Sequence, residues 1–159
     1  MEGANKLAKT KTCDVGPIRK LRKFVNRRNR SSVECVAHIS DPHTNTLVNR
    51  ARMEWGLPLL ERSQLLDDMA FAHAQEMASR GSVFHGADTN YDLQVKLGSI
   101  EVGEDVFRGV SESDVYDKIM MSSETAVRTN LECPTFNQHG VGIAHCDGMV
   151  YLCFLYRST

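Results

Sequence analysis

Among the six histidines and twenty acidic residues of the sequence, one histidine and one glutamate stand in short, glycine-containing segments, and both residue types can carry acid–base chemistry. His85 stands between Phe and Gly, and Glu104 stands between Gly and Asp. General acid–base chemistry needs such groups within about 3 Å of the transferred proton. No serine or cysteine adjoins either residue as an activated nucleophile. If the fold brings them together, they could act as an acid/base pair of a hydrolase, line a binding cleft, or form a hydrogen-bonded pair that joins a loop to a strand.

The cysteines are the second group of reactive side chains, and their number limits how they can pair. There are five, at positions 13, 35, 133, 146 and 153. An odd number leaves at least one thiol without an internal partner. No Cys-x-x-Cys or Cys/His spacing typical of a structural zinc site occurs.

The end of the chain predicts a β-hairpin that decides which cysteines can meet. Residues 141–146 and 149–156 are rich in apolar side chains and flank Asp-Gly, a strong two-residue turn signal. In this register the following residues face each other: Cys146 with Met149, and Cys153 with Gly142. Cys146 and Cys153 are then about 13 Å apart, too far for a disulfide. A bond from Cys133 to one of them stays open.

Three helices precede the hairpin and must position these groups. They are predicted from Asp41 to Trp55, from Ser63 to Gly81 and from Ser111 onward, because N-cap residues begin them and glycines end the first two. His73 lies on the apolar stripe of the second helix and is interpreted as a core histidine. Met120 and Met121 are predicted to pack into the core at the end of the third.

The order of the elements predicts the fold class. Residues 99–107 alternate apolar and acidic side chains, which indicates a strand that carries Glu104. Helices come first and the clearest strands come last. This order favours an α+β layered domain over a doubly wound sheet.

The charges divide the chain into two parts. Residues 1–30 carry ten basic and two acidic groups, a net of +8, and residues 31–159 carry nine basic and eighteen acidic groups, a net of −9. We predict a basic arm over residues 1–40 and a folded domain over 41–159. The arm lacks the apolar block of a signal peptide, and no run of about 20 apolar residues could span a membrane. A solvated arm, a basic amphipathic helix on an anionic membrane and a nucleic-acid patch are the alternatives.

Several short motifs, taken in order, resemble the CAP domain, also called the SCP domain. The family includes cysteine-rich secretory proteins, venom antigen five and plant pathogenesis-related proteins, and the likeness is greatest to its simpler members in bacteria and some protists. The resemblance covers about residues 44–156. The motifs that carry it are Leu47 to Arg52, His73-Ala74, Met77-Ala78, Phe84-His85-Gly86, Gly103-Glu104-Asp105, Asn130-Leu131 and Gly140-Val141-Gly142.

The resemblance implies a three-layer α-β-α sandwich with a cleft in which two histidines and two acidic residues often hold a divalent metal. His85 matches the first histidine and Glu104 the glutamate of the Gly-Glu-Asn motif. Val127 stands where the second histidine is expected, and Glu124 lies near the second acidic position. A zinc ion usually takes three or four protein ligands. His85 and Glu104 alone are too few, so no cofactor is expected, with zinc as the metal to test.

The cleft residues implied by the resemblance are His85, Glu104, Asp105 and Asn130. We expect a non-enzymatic binding module for a lipid, a sterol, another small ligand or a protein partner. The alternatives are a hydrolase that uses His85 and Glu104, and a tether whose basic arm contacts an anionic membrane or nucleic acid. The family indicates an extracellular protein, whereas the lack of a signal peptide leaves an intracellular one open.

Overall fold

A computed structural model describes residues 36–39, 42–86, 88, 92–121 and 125–159 of the chain. Its elements are numbered in chain order. The strands are β1 (Val36–Ile39), β2 (Glu61–Arg62), β3 (Val102–Gly109), β4 (Gln138–Cys146) and β5 (Met149–Arg157). The helices are α1 (Pro42–Glu54), α2 (Gln64–Arg80), α3 (Glu112–Met121) and α4 (Thr125–Glu132), with a π-helical turn at Asp92–Lys96. The basic residues of the predicted arm lie outside the described residues.

The first two helices end where their glycines predict. Gly81 follows α2 with φ of 67°, in the left-handed region that glycine adopts without strain. Its N–H donates to the Ala78 carbonyl, and the Ser82 N–H donates to the Met77 carbonyl. These bonds satisfy main-chain carbonyls at the end of the helix. The third predicted helix is also confirmed as α3.

The predicted hairpin is confirmed in its turn and in its register. Asp147 and Gly148 both have positive φ, 52° and 70°, as a type I′ turn requires. Cys146 pairs with Met149, and Cys153 with Gly142. Cys133 and Cys153 are free thiols, so the open alternative of a bond from Cys133 to either hairpin cysteine is excluded. Cys146 is disulfide-bonded, and its partner lies outside the described residues.

The sheet has the strand order β1-β4-β5-β3, and the short β2 pairs with β4 in parallel. The predicted strand at residues 99–107 is found slightly later in the chain, as β3. Strand β1 was not predicted. It pairs with β4 in antiparallel fashion, so the sheet includes residues that the sequence analysis assigned to the basic arm. Helix α4 and the π-helical turn were also not predicted from periodicity.

Helices cover both faces of the sheet, which confirms the α-β-α layers. Helix α2 packs on one face against Cys153 and Leu155. Residues of α1, α3 and α4 pack on the other face, against Phe154 and Tyr156. No helix within the described ranges is long and apolar enough to cross a membrane.

The prediction that the two methionines at the end of α3 pack into the core is wrong. Met120 is 39% exposed and Met121 is 83% exposed. The buried stripe of α3 consists of Val115 and Ile119, which lie four residues apart on one side of the helix. One more turn along the same side falls beyond the end of the helix.

Candidate functional site

Strand β3 divides the four predicted cleft residues between the two faces of the sheet. Successive side chains of a strand point to opposite faces. Glu104 points to the α2 face, where it meets His85 at 2.8 Å. Asp105 points to the other face, where Asn130 of α4 donates to it at 2.8 Å. The sequence analysis placed all four residues in one cleft, whereas the fold separates them into two pairs, one on each face of the sheet.

His85 and Glu104 form a hydrogen-bonded dyad at the outer edge of the α2 face. The Nδ1 atom of His85 lies 2.8 Å from Oε2 of Glu104, and the Gly86 N–H donates to the same oxygen at 3.0 Å. The Glu104 side chain is 4% exposed and that of His85 is 71% exposed. Because an ionised carboxylate only accepts hydrogen bonds, Nδ1 carries the proton. The Nε2 lone pair of His85 can then act as a base, accept a hydrogen bond from a ligand, or bind a metal.

His73 is a third member of this cluster, and the sequence analysis did not assign it there. Its burial confirms the prediction of a core histidine, since it is 6% exposed. Its Nε2 lies 2.8 Å from the Phe84 carbonyl and 3.6 Å from Oε1 of Glu104. A carbonyl only accepts, so Nε2 of His73 carries a proton. His73 thus holds the loop that bears His85, and it lies beside the carboxylate that orients His85.

Among the described residues around Glu104 there is no accessible nucleophile and no preformed metal shell. The Cys153 thiol lies 4.0 Å from Oε1 of Glu104, but it is fully buried, and burial together with the nearby carboxylates raises its pKa. Among the described residues no group of three His, Cys, Asp or Glu side chains is arranged to hold a metal ion. The Nε2–H of His73 donates to the Phe84 carbonyl, so this imidazole cannot present that nitrogen as a ligand.

The remaining candidates for metal ligation lie elsewhere. Val127 is in α4, but its side chain and all of Glu124 are outside the described part of the chain. His139 and His145 are in β4, which β5 separates from β3. His139 is buried, and burial lowers its pKa to about 4. His145 lies 2.9 Å from a Glu112 oxygen.

Asp105 belongs to a buried polar cluster on the opposite face. It is 4% exposed, and burial raises its pKa to about 6, although the hydrogen bond from Asn130 acts in the opposite direction. The Tyr156 hydroxyl lies close enough to interact with the same carboxyl group, and burial and this carboxyl raise the Tyr156 pKa. Neither Oδ2 of Asp105 nor the hydroxyl has a hydrogen bond of good geometry. The cluster is strained electrostatically when Asp105 is ionised.

A groove of about 330 Å³ opens beside the start of β3 and reaches Asn130. This volume is at the lower end of the range for small-molecule sites, about 300–1,000 Å³. The lining residues are Ile100, Val102, Cys133 and Phe136 on the apolar side, and Gln94, Glu101, Thr129 and Asn130 on the polar side. Of the four predicted cleft residues, only Asn130 lines it. The sequence contained no periodic signal for the groove, because three separate segments form its wall.

Comparison with known proteins decides the family. Residues 46–156 match the family described as the cysteine-rich secretory protein family, CAP. The chain belongs to the CAP family. This result confirms the resemblance found in the sequence, over nearly the same residues. No curated protein shows significant similarity to this CAP chain.

Solved structures with the same fold come from several bacteria. An extracellular protein of Bacillus anthracis that contains an SCP domain is 25% identical, with a TM-score of 0.60 over 74% of this chain and 39% of that chain. An outer surface protein of Borrelia burgdorferi is 14% identical, with a TM-score of 0.65 over 77% of this chain and 98% of that chain. The second similarity shows the fold alone. This CAP chain spans well under half of the Bacillus protein.

Proposed function

We propose that this CAP protein is a non-catalytic binding module whose ligand occupies the groove beside β3. The observation that carries the proposal is the groove itself, whose lining includes the apolar residues Ile100 and Phe136 and the amide of Asn130. Binding sites commonly combine apolar walls with a few polar groups that orient the ligand. Lipids, sterols, other small ligands and protein segments with an apolar side chain are the ligand classes that this chemistry accepts.

The arrangement around His85 supports binding over catalysis. A hydrolase with a covalent intermediate needs a hydroxyl or thiol within hydrogen-bond reach of its base. The thiol near Glu104 is that of Cys153, whose high pKa and burial keep it protonated and inaccessible. The Glu104 carboxylate accepts hydrogen bonds from His85 and from the Gly86 N–H. It therefore serves to hold the loop against β3, as expected of a hydrogen-bonded pair in a scaffold.

The groove is tested with two tryptophan variants at adjacent positions of the π-helical turn. Gln94 lines the groove, whereas Val95 is exposed outside it. Fluorescent probes are titrated into each protein: cis-parinaric acid for fatty acids, dehydroergosterol for sterols and anilinonaphthalene sulfonate as a general apolar probe. We expect binding to the wild type and to Val95→Trp, and at least tenfold weaker binding to Gln94→Trp. Equal binding to the two variants would place the ligand elsewhere.

A hydrolase is the second candidate, because the Nε2 atom of His85 is oriented by Glu104 and open to solvent. Water would have to be the nucleophile, with Nε2 as the general base. Hydrolysis of p-nitrophenyl acetate and of fluorescent casein tests the idea. His85→Ala and Glu104→Gln should each remove most of any activity. Activity that survives His85→Ala eliminates the dyad as its source.

We further propose that the protein acts outside the cell, since solved relatives are named as extracellular and outer surface proteins. The basic residues before β1 would then attach the acidic domain to an anionic surface. Replacing the arginines and lysines of residues 1–30 with glutamine tests the attachment and leaves β1 intact. We expect salt-sensitive binding of the wild type to phosphatidylserine vesicles or to duplex DNA. Binding that the replacement leaves unchanged would contradict it.

A further inference from the structure

We propose that the outer edge of β3, over residues 102–106, binds an extended, basic segment of a partner protein as an added β-strand. The inference rests on the proposed binding function and names its ligand class. Strand β3 is at the end of the order β1-β4-β5-β3, so only one of its edges is paired within the sheet. An edge strand presents a row of main-chain donors and acceptors that another strand can use.

The hydrogen-bond pattern shows which residues face outward. The Ser158 N–H donates to the Glu101 carbonyl at 3.0 Å, next to the β3–β5 ladder. In an antiparallel pair every second residue directs its main-chain groups to the partner strand. Odd-numbered residues of β3 therefore bond to β5. The main-chain groups of Val102, Glu104 and Val106 point away from the sheet.

Two side-chain contacts agree with this direction and define the open stretch. Asn130 Nδ2 lies 3.4 Å from the Glu104 carbonyl oxygen, and Lys118 Nζ lies 3.2 Å from the Arg108 carbonyl oxygen. Both carbonyls belong to even-numbered residues, as the pattern requires. The lysine covers the end of the strand near α3. The first contact is long and leaves the Glu104 N–H untouched.

Solvent reaches the edge at Val102, Glu104 and Val106, which are all partly exposed. The Glu104 side chain is 4% exposed, yet the residue as a whole is partly exposed, so the accessible atoms are those of the main chain. Apart from the strand ladder, no hydrogen bond from the described residues reaches the N–H or C=O of Val102 or Val106. Three outward-facing residues span about 13 Å, which fits a peptide of about five residues.

The groove can accept one side chain of the added strand, and its surroundings favour a positively charged partner. Val102 lies on the open edge and also lines the groove, so an apolar side chain of the partner can enter it. Glu101 is the charged residue of the lining. Residues 31–159 carry a net charge of −9. A partner strand with lysine or arginine next to its apolar residue complements both features.

The variant Val106→Pro removes one outward N–H and keeps an apolar side chain. Proline is tolerated on edge strands where the N–H faces outward. Val106→Thr is the matched control, because it keeps the N–H and a β-branched side chain. A phage-displayed library of random dodecapeptides is selected on the wild type and counted on all three proteins. We expect enriched, lysine- or arginine-containing peptides that bind Val106→Thr normally and Val106→Pro about tenfold more weakly, as loss of one hydrogen bond implies.

Amide hydrogen exchange tests the geometry in the wild-type protein. In the free protein the amides of Val102, Glu104 and Val106 should exchange much faster than those of Gly103 and Asp105. A bound selected peptide should slow exchange at the even positions only. Even-position amides that are already protected without peptide would overturn the proposal. A native near-ultraviolet circular dichroism spectrum of Val106→Pro shows that its loss of binding is not unfolding.

The remaining outcomes separate this inference from the proposed function. Peptides that bind Val106→Pro as well as the wild type overturn strand addition. If Gln94→Trp still blocks them, the groove remains the binding site. Equal enrichment of peptides on the wild type and on Val106→Pro would likewise overturn strand addition. A concentration-dependent dimer that Val106→Pro abolishes would assign the edge to a second copy of this chain instead. Unchanged affinity of Glu101→Gln would remove the basic requirement, whereas about threefold weaker binding supports it.

Discussion

Asp105→Asn is expected to stabilise the protein at neutral pH, although it removes a charge. The Asp105 carboxyl is buried, and its pKa is raised to about 6 from 3.8 because burial penalises the ionised form. A raised carboxyl pKa means that the folded protein binds this proton more tightly than the unfolded chain does. Stability therefore falls as pH rises from about 4 to about 6 and stays lower above that range.

The size of the effect follows from the same values. The rise of the pKa from 3.8 to about 6 corresponds to about 3 kcal/mol, at roughly 1.36 kcal/mol per pH unit. Asparagine has the shape of the protonated carboxyl and can still accept from Asn130. Asp105→Asn should exceed the wild type by up to about 3 kcal/mol at pH 7 and by less than about 1 kcal/mol near pH 4.

His139 gives the prediction a second signature. Burial and the nearby arginines lower the pKa of His139 to about 4, so the unfolded chain binds this proton more tightly. Its contribution to stability rises between about pH 4 and 6.5, opposite to that of Asp105. The two nearly cancel in the wild type. In Asp105→Asn the contribution of His139 is no longer cancelled, so the free energy of unfolding of this variant should rise over the same pH range.

The free energy of unfolding of the wild type and of Asp105→Asn is measured by urea unfolding at pH 4.5, 5.5, 6.5 and 7.5, with linear extrapolation to zero urea. Asp67→Asn is the matched control. Asp67 accepts from Arg62 at 2.8 Å and from the Val141 N–H at 2.9 Å, so the same change should destabilise by about 3 kcal/mol. If Asp105→Asn is less stable than the wild type at pH 7, the hydrogen bonds to ionised Asp105 outweigh its desolvation, and the reasoning is refuted.

Three further predictions concern the framework around the groove and the dyad. Arg52→Met should lower the free energy of unfolding by about 3 kcal/mol, and thermal unfolding measures this loss. The reason is that the buried guanidinium donates to several main-chain carbonyls, among them that of Leu131 at 2.8 Å. Gly142→Ala should cost about 3 kcal/mol or more in the same assay, because its Cβ would overlap main-chain atoms of α2. Native alkylation followed by mass spectrometry should modify Cys133 and leave the buried Cys153 unmodified until the protein unfolds.

The four predicted cleft residues lie in two places because β3 directs neighbouring side chains to opposite faces of the sheet. In the fold His85 contacts Glu104 and Asp105 contacts Asn130, and the resemblance did not specify the second contact. A family motif lists neighbouring residues, such as Glu104 and Asp105, without stating that a strand sends them to opposite faces. The alternation was visible in the sequence, so the division could have been predicted once residues 102–109 were recognised as a strand. His73 could not be assigned to the dyad, because its proximity to Glu104 depends on how α2 lies on the sheet.

The sequence by itself determined the local structure and the family. Caps and glycines defined α1 and α2, Asp-Gly set the register of the hairpin, and the ordered motifs identified a CAP domain. These features depend on residues close together in the chain, whose conformational preferences act locally. Strand β1 is four residues long and pairs with β4, which is far from it in the sequence. No local signal therefore predicted it.

The tertiary structure alone decided what lies at the open edge of the sheet. The order of the strands places β3 outermost, and three distant segments meet there to form the groove. The same packing buries Asp105 and leaves His85 exposed, although both stand in similarly polar motifs. Burial and strand order arise from contacts between residues far apart in sequence, and those contacts set the charge, the accessibility and the free hydrogen-bonding groups of the site.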